Sequence, residues 1–152
     1  MTERKRPTLS TGVYYRDPKA ALKWLEAAFG FEATMVVLDP DGNLAHSELR
    51  LGDGMIMVGG EYDDRHKSPV STGGVNTQSI YVQLDDGIDA HCERARKAGA
   101  TVVRELADQF YGDRVYAVAD PEGHIWSFGQ TVAEMSNEEM AKAGGVAIRE
   151  KL

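Results

Sequence analysis

Residues 10–30 read Ser-Thr-Gly-Val-Tyr-Tyr-Arg-Asp-Pro-Lys-Ala-Ala-Leu-Lys-Trp-Leu-Glu-Ala-Ala-Phe-Gly, and residues 79–99 read Ser-Ile-Tyr-Val-Gln-Leu-Asp-Asp-Gly-Ile-Asp-Ala-His-Cys-Glu-Arg-Ala-Arg-Lys-Ala-Gly. One offset of 69 positions lays Ser10 on Ser79, Val13 on Val82, Asp17 on Asp86, Ala21 on Ala90 and Gly30 on Gly99. A shared register across strand, cap, helix and stop is what an internal duplication leaves. In the first copy a β-prone run over 9–15 ends at Asp17-Pro18, a cap followed by a residue suited to a first helical turn. Ala21, Leu22, Leu25, Ala28 and Phe29 form one apolar helix stripe, and Gly30 supplies a left-handed stop. In the second copy Ser79–Leu84 is a strand and Asp85-Asp86 a cap. Ile88, Cys92, Ala95 and Ala98 make the stripe there, and Gly99 the stop.

Working outward, three strands follow each helix. Glu32–Leu38 ends at Asp39-Pro40-Asp41-Gly42, a turn with Pro and Gly at favourable positions. Ala45–Leu51 ends at Asp53-Gly54, a hairpin signal, and Met55–Val58 follows. Thr101–Leu106 and Val115–Ala119 are strands of the second copy, and Asp120-Pro121-Glu122-Gly123 turns the chain into His124–Gly129. The fold class is therefore α+β: two βαβββ modules, 9–60 and 78–131, with a polar connection over 61–77. Residues 132–152 form a separate end, in which Ser136 and Glu139 make a capping box for a short helix from Asn137 to about Lys142. That helix would cover its own sheet edge or pack on a partner.

The bulk composition narrows the function classes. A chain of 152 residues is one domain. Its net charge of −7 argues against nucleic acid or an anionic membrane as partner. The Arg4-Lys5-Arg6 run reads as a polar tail rather than a binding arm. The single cysteine, Cys92, permits no internal disulfide and reads as a small buried hydrophobe. No apolar run approaches a membrane span and no secretory leader is visible, which makes the cytoplasm the expected location. Phosphate loops, dinucleotide fingerprints, Ser-His-Asp order and zinc spacings are not found.

Strand alternation then sorts the side chains. Ile80, Val82 and Leu84 belong against a helix, which turns Ser79, Tyr81 and Gln83 to the opposite face. By the same rule Tyr14, Met55, Met57, Ile125 and Ser127 face that cavity. Aromatic, thioether and hydroxyl groups together describe a ligand pocket, or else a packing surface between subunits. His46, Glu48 and Arg50 share one strand face. They would bind a ligand, supply a base and its orienter, or simply be solvated. Glu48 beside Tyr14, Tyr81 and the methionines favours a flat cationic ligand, whereas an inward Arg50 would pair with Glu48 or favour an anion. His124 reads as a hydrogen-bonded residue at the core edge, and neither His66 nor His91 invites a role.

Tyr14-Tyr15-Arg16-Asp17 with Ala27-Ala28-Phe29-Gly30-Phe31-Glu32, His46 through Gly54, Tyr111-Gly112-Asp113-Arg114, and Asp120 through Trp126 occur in an order that resembles the vicinal oxygen chelate superfamily. That group includes glyoxalase, bleomycin-resistance and fosfomycin-resistance proteins and extradiol dioxygenases. The resemblance covers roughly residues 9–131 and is nearest the glyoxalase and bleomycin-resistance branch. It implies a curved mixed sheet with helices on the convex side and a pocket in the concave one. Metal-bearing members carry His or Glu at four places, on the first, fourth, fifth and eighth strands. The register places Ser10, Met57, Ser79 and Ser127 there, none a good ligand for a divalent ion. The implied function is thus a metal-free protein that binds a small organic ligand, without cofactor, in the trough of a homodimer. A metal-dependent lyase or isomerase of glyoxalase I type is the alternative, and a ligand sensor without chemistry is a third.

Overall fold

The computed structural model describes residues 5–152. The first module runs β1 (Thr11–Tyr15), α1 (Pro18–Phe29), β2 (Glu32–Leu38), β3 (Leu44–Leu51) and β4 (Gly54–Gly60). The second runs β5 (Ser79–Leu84), α2 (Ile88–Lys97), β6 (Thr101–Asp108), β7 (Asp113–Ala119) and β8 (Ile125–Thr131). A 3-10 turn, Pro69–Ser71, lies in the connection, and α3 spans Asn137–Gly144. The modules form two four-stranded mixed sheets, β1-β4-β3-β2 and β5-β8-β7-β6, each with one parallel pair at its β1 or β5 edge. The duplication is visible in the ladders: Val13 lies opposite Val58, and Val82 opposite Phe128.

Alternation decides which face each helix covers. Val13, Tyr15, Leu49, Ile56 and Val58 of the first sheet turn to α1, and Trp126, Phe128, Tyr116 and Val118 of the second turn to α2. These groups merge into one core. Phe29, at the end of α1, lies 4.7 Å from Phe128 and 5.3 Å from Trp126 between ring centroids. The β-branched and aromatic residues suit a pleated, half-covered surface.

The two helices start differently. Asp17 caps α1, its side chain accepting from the Ala20 amide at 3.1 Å. The expected Asp85-Asp86 cap of α2 is not what forms. Gly87 takes the capping position at φ 74° with no side-chain cap, and the Ile88 amide instead donates to Gln130 Oε1 on β8 at 3.0 Å. A left-handed glycine stands where Pro18 opens α1, so α2 starts one position later within the same register, and the neighbouring strand supplies the missing acceptor. β2 and β5 keep their expected bounds, β3, β4, β6 and β7 run longer, β8 is shifted to Ile125–Thr131, and β1 begins at Thr11, so Ser10 stands just outside it. The C-terminal helix forms as expected, with Ser136 Oγ accepting from the Glu139 amide at 3.1 Å, and continues to Gly144.

Beside this shared apolar core, the seam between modules carries specific polar contacts. Asp120 is buried, at 4% exposure. Its Oδ2 accepts from the Tyr15 hydroxyl at 2.6 Å and from Trp126 Nε1 at 3.1 Å, while its Oδ1 accepts from the Glu122 and His124 amides. Glu122 accepts from the Arg16 and Asp17 amides and from Ser68 Oγ. His124 Nε2 donates to the Tyr14 carbonyl at 2.7 Å, the core-edge role expected of it. Cys92 is buried, and burial raises its thiol pKa, as suits a structural residue.

His91 also ties the modules. Its Nε2 lies 2.9 Å from the Phe29 carbonyl and its Nδ1 2.6 Å from the Tyr116 hydroxyl. A carbonyl only accepts, so Nε2 carries the proton and Nδ1 accepts from the tyrosine. Burial pushes the imidazole below its ordinary value of 6.5, so the folded state prefers the neutral ring. The unfolded chain then takes up the proton first as pH falls. His91 therefore supports stability fully above about 6.5 and loses that support as pH drops through this value. Thermal melting between pH 8 and 5.5 should show a fall in Tm that is smaller in His91→Gln than in the parent. An equal fall in both would contradict this role.

Candidate functional site

Each sheet has a face opposite its helix, and the strand registers place the eleven residues named above on it. On the first sheet Tyr14 sits opposite Gly59, Glu48 opposite both Met57 and Met35, and Arg50 opposite Met55. His46 precedes Glu48 by the two-residue repeat, opposite Val37 on the edge strand. On the second sheet Ser79 sits opposite Ile125, Tyr81 opposite Ser127, and Gln83 opposite Gly129. The eleven expected residues thus fall into two sets, six on one sheet and five on the other. Two side-chain hydrogen bonds join members of the same set, His46 with Glu48 and Tyr81 with Gln83. A cavity of about 490 Å³ at the seam touches both, lined by Ser10, Met55, Ile80, Tyr81 and Gln83 among others.

The second face is a hydrogen-bonded row that ends on one carboxylate, Asp113. The Tyr81 hydroxyl lies 3.2 Å from Gln83 Oε1 and 3.2 Å from Asp113 Oδ2, donating to one at a time. Gln83 Nε2 donates to Thr131 Oγ1 at 3.1 Å, and that hydroxyl donates to Asp113 Oδ1 at 2.9 Å. Burial, and then the Asp113 carboxylate, push the Tyr81 phenol up to about 12. Tyr81 is therefore a donor at neutral pH and not a base. Its ring lies across Gly129, where an added Cβ would coincide with the hydroxyl oxygen.

The first face is charged. Glu48 is 6% exposed, and its two oxygens accept from Arg6 Nη1 and Nη2, each at 2.9 Å. His46 Nε2 lies 3.2 Å from Glu48 Oε2. Arg6 and His46 together hold the Glu48 carboxyl below the usual glutamate range, against the opposing pull of burial. Arg50 Nη1 donates to the Lys5 carbonyl at 3.2 Å, so Arg6 is the cation that reaches Glu48. The amino-terminal run is thus corrected. Lys5 and Arg6 are docked on the sheet, because a buried carboxylate there needs a charged partner; Arg4 lies outside the described residues.

Beyond Glu48 lies a cavity of about 460 Å³ lined by Tyr14, His46, Met57, Gly59, Glu61 and Tyr62. The connection folds over Tyr14. Tyr62 stacks on His66 at 4.4 Å, and both meet Tyr14 edge-on, at 5.6 and 4.8 Å. His66 Nδ1 is 2.7 Å from Asp63 Oδ1. Arg6, Tyr62, His66 and Asp113 were not among the expected site residues. The first three lie outside regular strands, where alternation gives no signal, although the basic run did stand out in an acidic chain. A smaller cavity of about 150 Å³ lies on the helix side, between Tyr15, Trp24 and Asp120.

Of the four places where metal-bearing relatives carry His or Glu, Met57, Ser79 and Ser127 lie on the open faces and Ser10 just ahead of β1. Three hydroxyls and a thioether do not fit a divalent ion that prefers imidazole and carboxylate. Among the described residues, no three His, Cys, Asp or Glu side chains come together as a metal-binding group.

Paired βαβββ modules, each a four-stranded mixed sheet with one helix against it, define the class of fold. The model of the Glyoxalase/Bleomycin resistance protein/Dioxygenase superfamily matches residues 9–128, and the chain belongs to that superfamily. It is 37% identical over 141 residues to an uncharacterized protein of Mycobacterium bovis, an alignment covering 90% of this chain and 91% of that one. Its structure is similar to that of TioX from Micromonospora sp. ML1, with a TM-score of 0.67 and 29% identity over 81% of this chain and 97% of the other. It also shares the fold of TnmS3, an antibiotic binding protein from Streptomyces sp. CB03234, with a TM-score of 0.62 and 18% identity over 80% and 93%.

The Tyr81–Gly129 contact is testable. Gly129→Ala should lift the Tyr81 ring off the sheet and destabilise the protein by about 1–3 kcal/mol. It should also return the Tyr81 phenol toward its ordinary pKa, as read by 13C-tyrosine NMR. An unchanged Tyr81 titration would contradict the placement.

Proposed function

We propose that this chain is a metal-free small-molecule-binding protein of the bleomycin-resistance type, which holds an organic ligand against the open faces of its sheets in a cytoplasmic homodimer. The observation that carries the reading is the make-up of those faces. Tyr14, Met55, Met57 and Tyr81 offer aromatic and adaptable apolar surface, while Ser79, Gln83 and Ser127 offer a few hydrogen-bonding groups. That is the usual lining of a ligand pocket, and cavities of about 460 and 490 Å³ are in the range for a drug-sized molecule.

Further support comes from side-chain chemistry. Ser10, Met57, Ser79 and Ser127 suit binding better than Lewis-acid catalysis. Edge strand β2 exposes Met35, Val36, Val37 and Leu38, a run that a second copy would cover. TnmS3, an antibiotic binding protein, shares the fold. No described helix is long and apolar enough to cross a membrane.

The test combines sedimentation, elemental analysis and calorimetric titration with a panel of flat aromatic compounds. A dimer at micromolar concentration should bind one compound per chain without a stoichiometric metal. Tyr81→Ala and Met57→Ala should each weaken binding by about tenfold, as loss of an aromatic or sulfur contact does. A monomer that binds none of the panel would overturn the proposal. One tightly held ion per chain, lost in His46→Ala, would restore the lyase or isomerase alternative.

A further inference from the structure

The geometry points to a recognition site for a planar, forked cation at Glu48 and His46, an amidinium or guanidinium on an aromatic body, which the chain's own Arg6 occupies until such a ligand displaces it. This inference rests on the open-face binding reading and names the ligand chemistry of its first sheet.

Four observations carry it. The Glu48 carboxylate is nearly buried, yet both its oxygens are taken by one guanidinium at 2.9 Å each, the parallel two-bond geometry special to planar forked cations. An ammonium would make one such bond, not two. Arg6 comes from outside any strand or helix and its side chain is 60% exposed, and among the described residues it is held to the face by its ion pair with Glu48 and by the neighbouring Lys5–Arg50 contact. Glu48 is flanked by Met57 and Met35 on the neighbouring strands, flexible thioethers that reshape around a flat body. The cavity on the His46 side leads from Met57 to the rings of Tyr14 and Tyr62. A flat aromatic group anchored at Glu48 would extend over Met57 toward those rings, and their faces favour a cation.

An intrinsic occupant lowers apparent affinity by the fraction of time it covers the site. Removing Arg6 should therefore tighten binding of the right cation and leave neutral analogues unchanged. Arg50, held by the Lys5 carbonyl, is not the anchor in this arrangement.

The probes are benzamidine, benzamide and benzoate, titrated by calorimetry into the full chain and its variants. Benzamidine should bind Arg6→Ala about tenfold more tightly than the parent. Benzamide should bind both alike and more weakly. Glu48→Gln, which keeps the side-chain shape, should lose the benzamidine preference, and Arg6→Lys should fall between Arg6→Ala and the parent. Melting curves of each variant establish that it is folded, and Glu48→Ser replaces Glu48→Gln if the latter is not. Benzamidine affinity unchanged by Arg6→Ala, or undiminished by Glu48→Gln, would overturn the inference. If all three probes bind every variant equally, the cation site fails while the open-face reading stands. That broader reading fails separately, if the aromatic panel finds no ligand at all.

Discussion

The molecule depends on one buried carboxylate. Asp120 sits where β1 of one module meets the β7–β8 turn of the other, and it accepts hydrogen bonds from Tyr15, Trp126 and two amides. A buried charge without partners is strongly unfavourable, whereas hydrogen bonds to an ionised group contribute about 1.5–3 kcal/mol each. Asp120 therefore holds Tyr15 and Trp126 in one geometry, and with them the relation of the two sheets. The Glu122 and His124 contacts to Arg16, Asp17 and Tyr14 extend the same joint along β1. The open faces inherit their placement from it, because Tyr14 stands beside Tyr15 on the opposite side of the strand.

Duplication produced two similar scaffolds with different chemistry. The second face is a chain of hydrogen bonds from Tyr81 to Gln83, Thr131 and the Asp113 carboxylate, with no cation in it among the described contacts. The first is charged and carries an ion pair with a residue from outside the repeat. A site spanning the two would present an apolar and hydrogen-bonding half beside a cation-selective half. Such asymmetry lets a repeated fold orient a ligand that has distinct ends.

The elements and their faces were legible because they follow short periods. The stripe of Leu25, Ala28 and Phe29 faced the core, and Ser79, Tyr81 and Gln83 turned away from it as alternation requires. What could not be read came from single long-range contacts. Gln130 serves the α2 terminus from a strand more than forty positions away, and the left-handed Gly87 displaced the expected Asp85-Asp86 cap. Arg6 looked like a solvated tail because nothing local reveals that Glu48 is buried. Tyr62 and His66 lie in a polar connection without periodicity, so their stacking over Tyr14 left no pattern. Asp120 read only as the first residue of a turn. Its second role, as acceptor for Tyr15, depends on the assembled seam.

The central claim is that an organic ligand sits on the open faces of the sheets rather than among the helices. Amide hydrogen exchange with and without a bound aromatic compound tests it directly. The account predicts slowed exchange over residues 46–57 and 79–83, with the helix α1 amides unaffected. Protection confined to α1 around Trp24, where the small helix-side cavity lies, would contradict it.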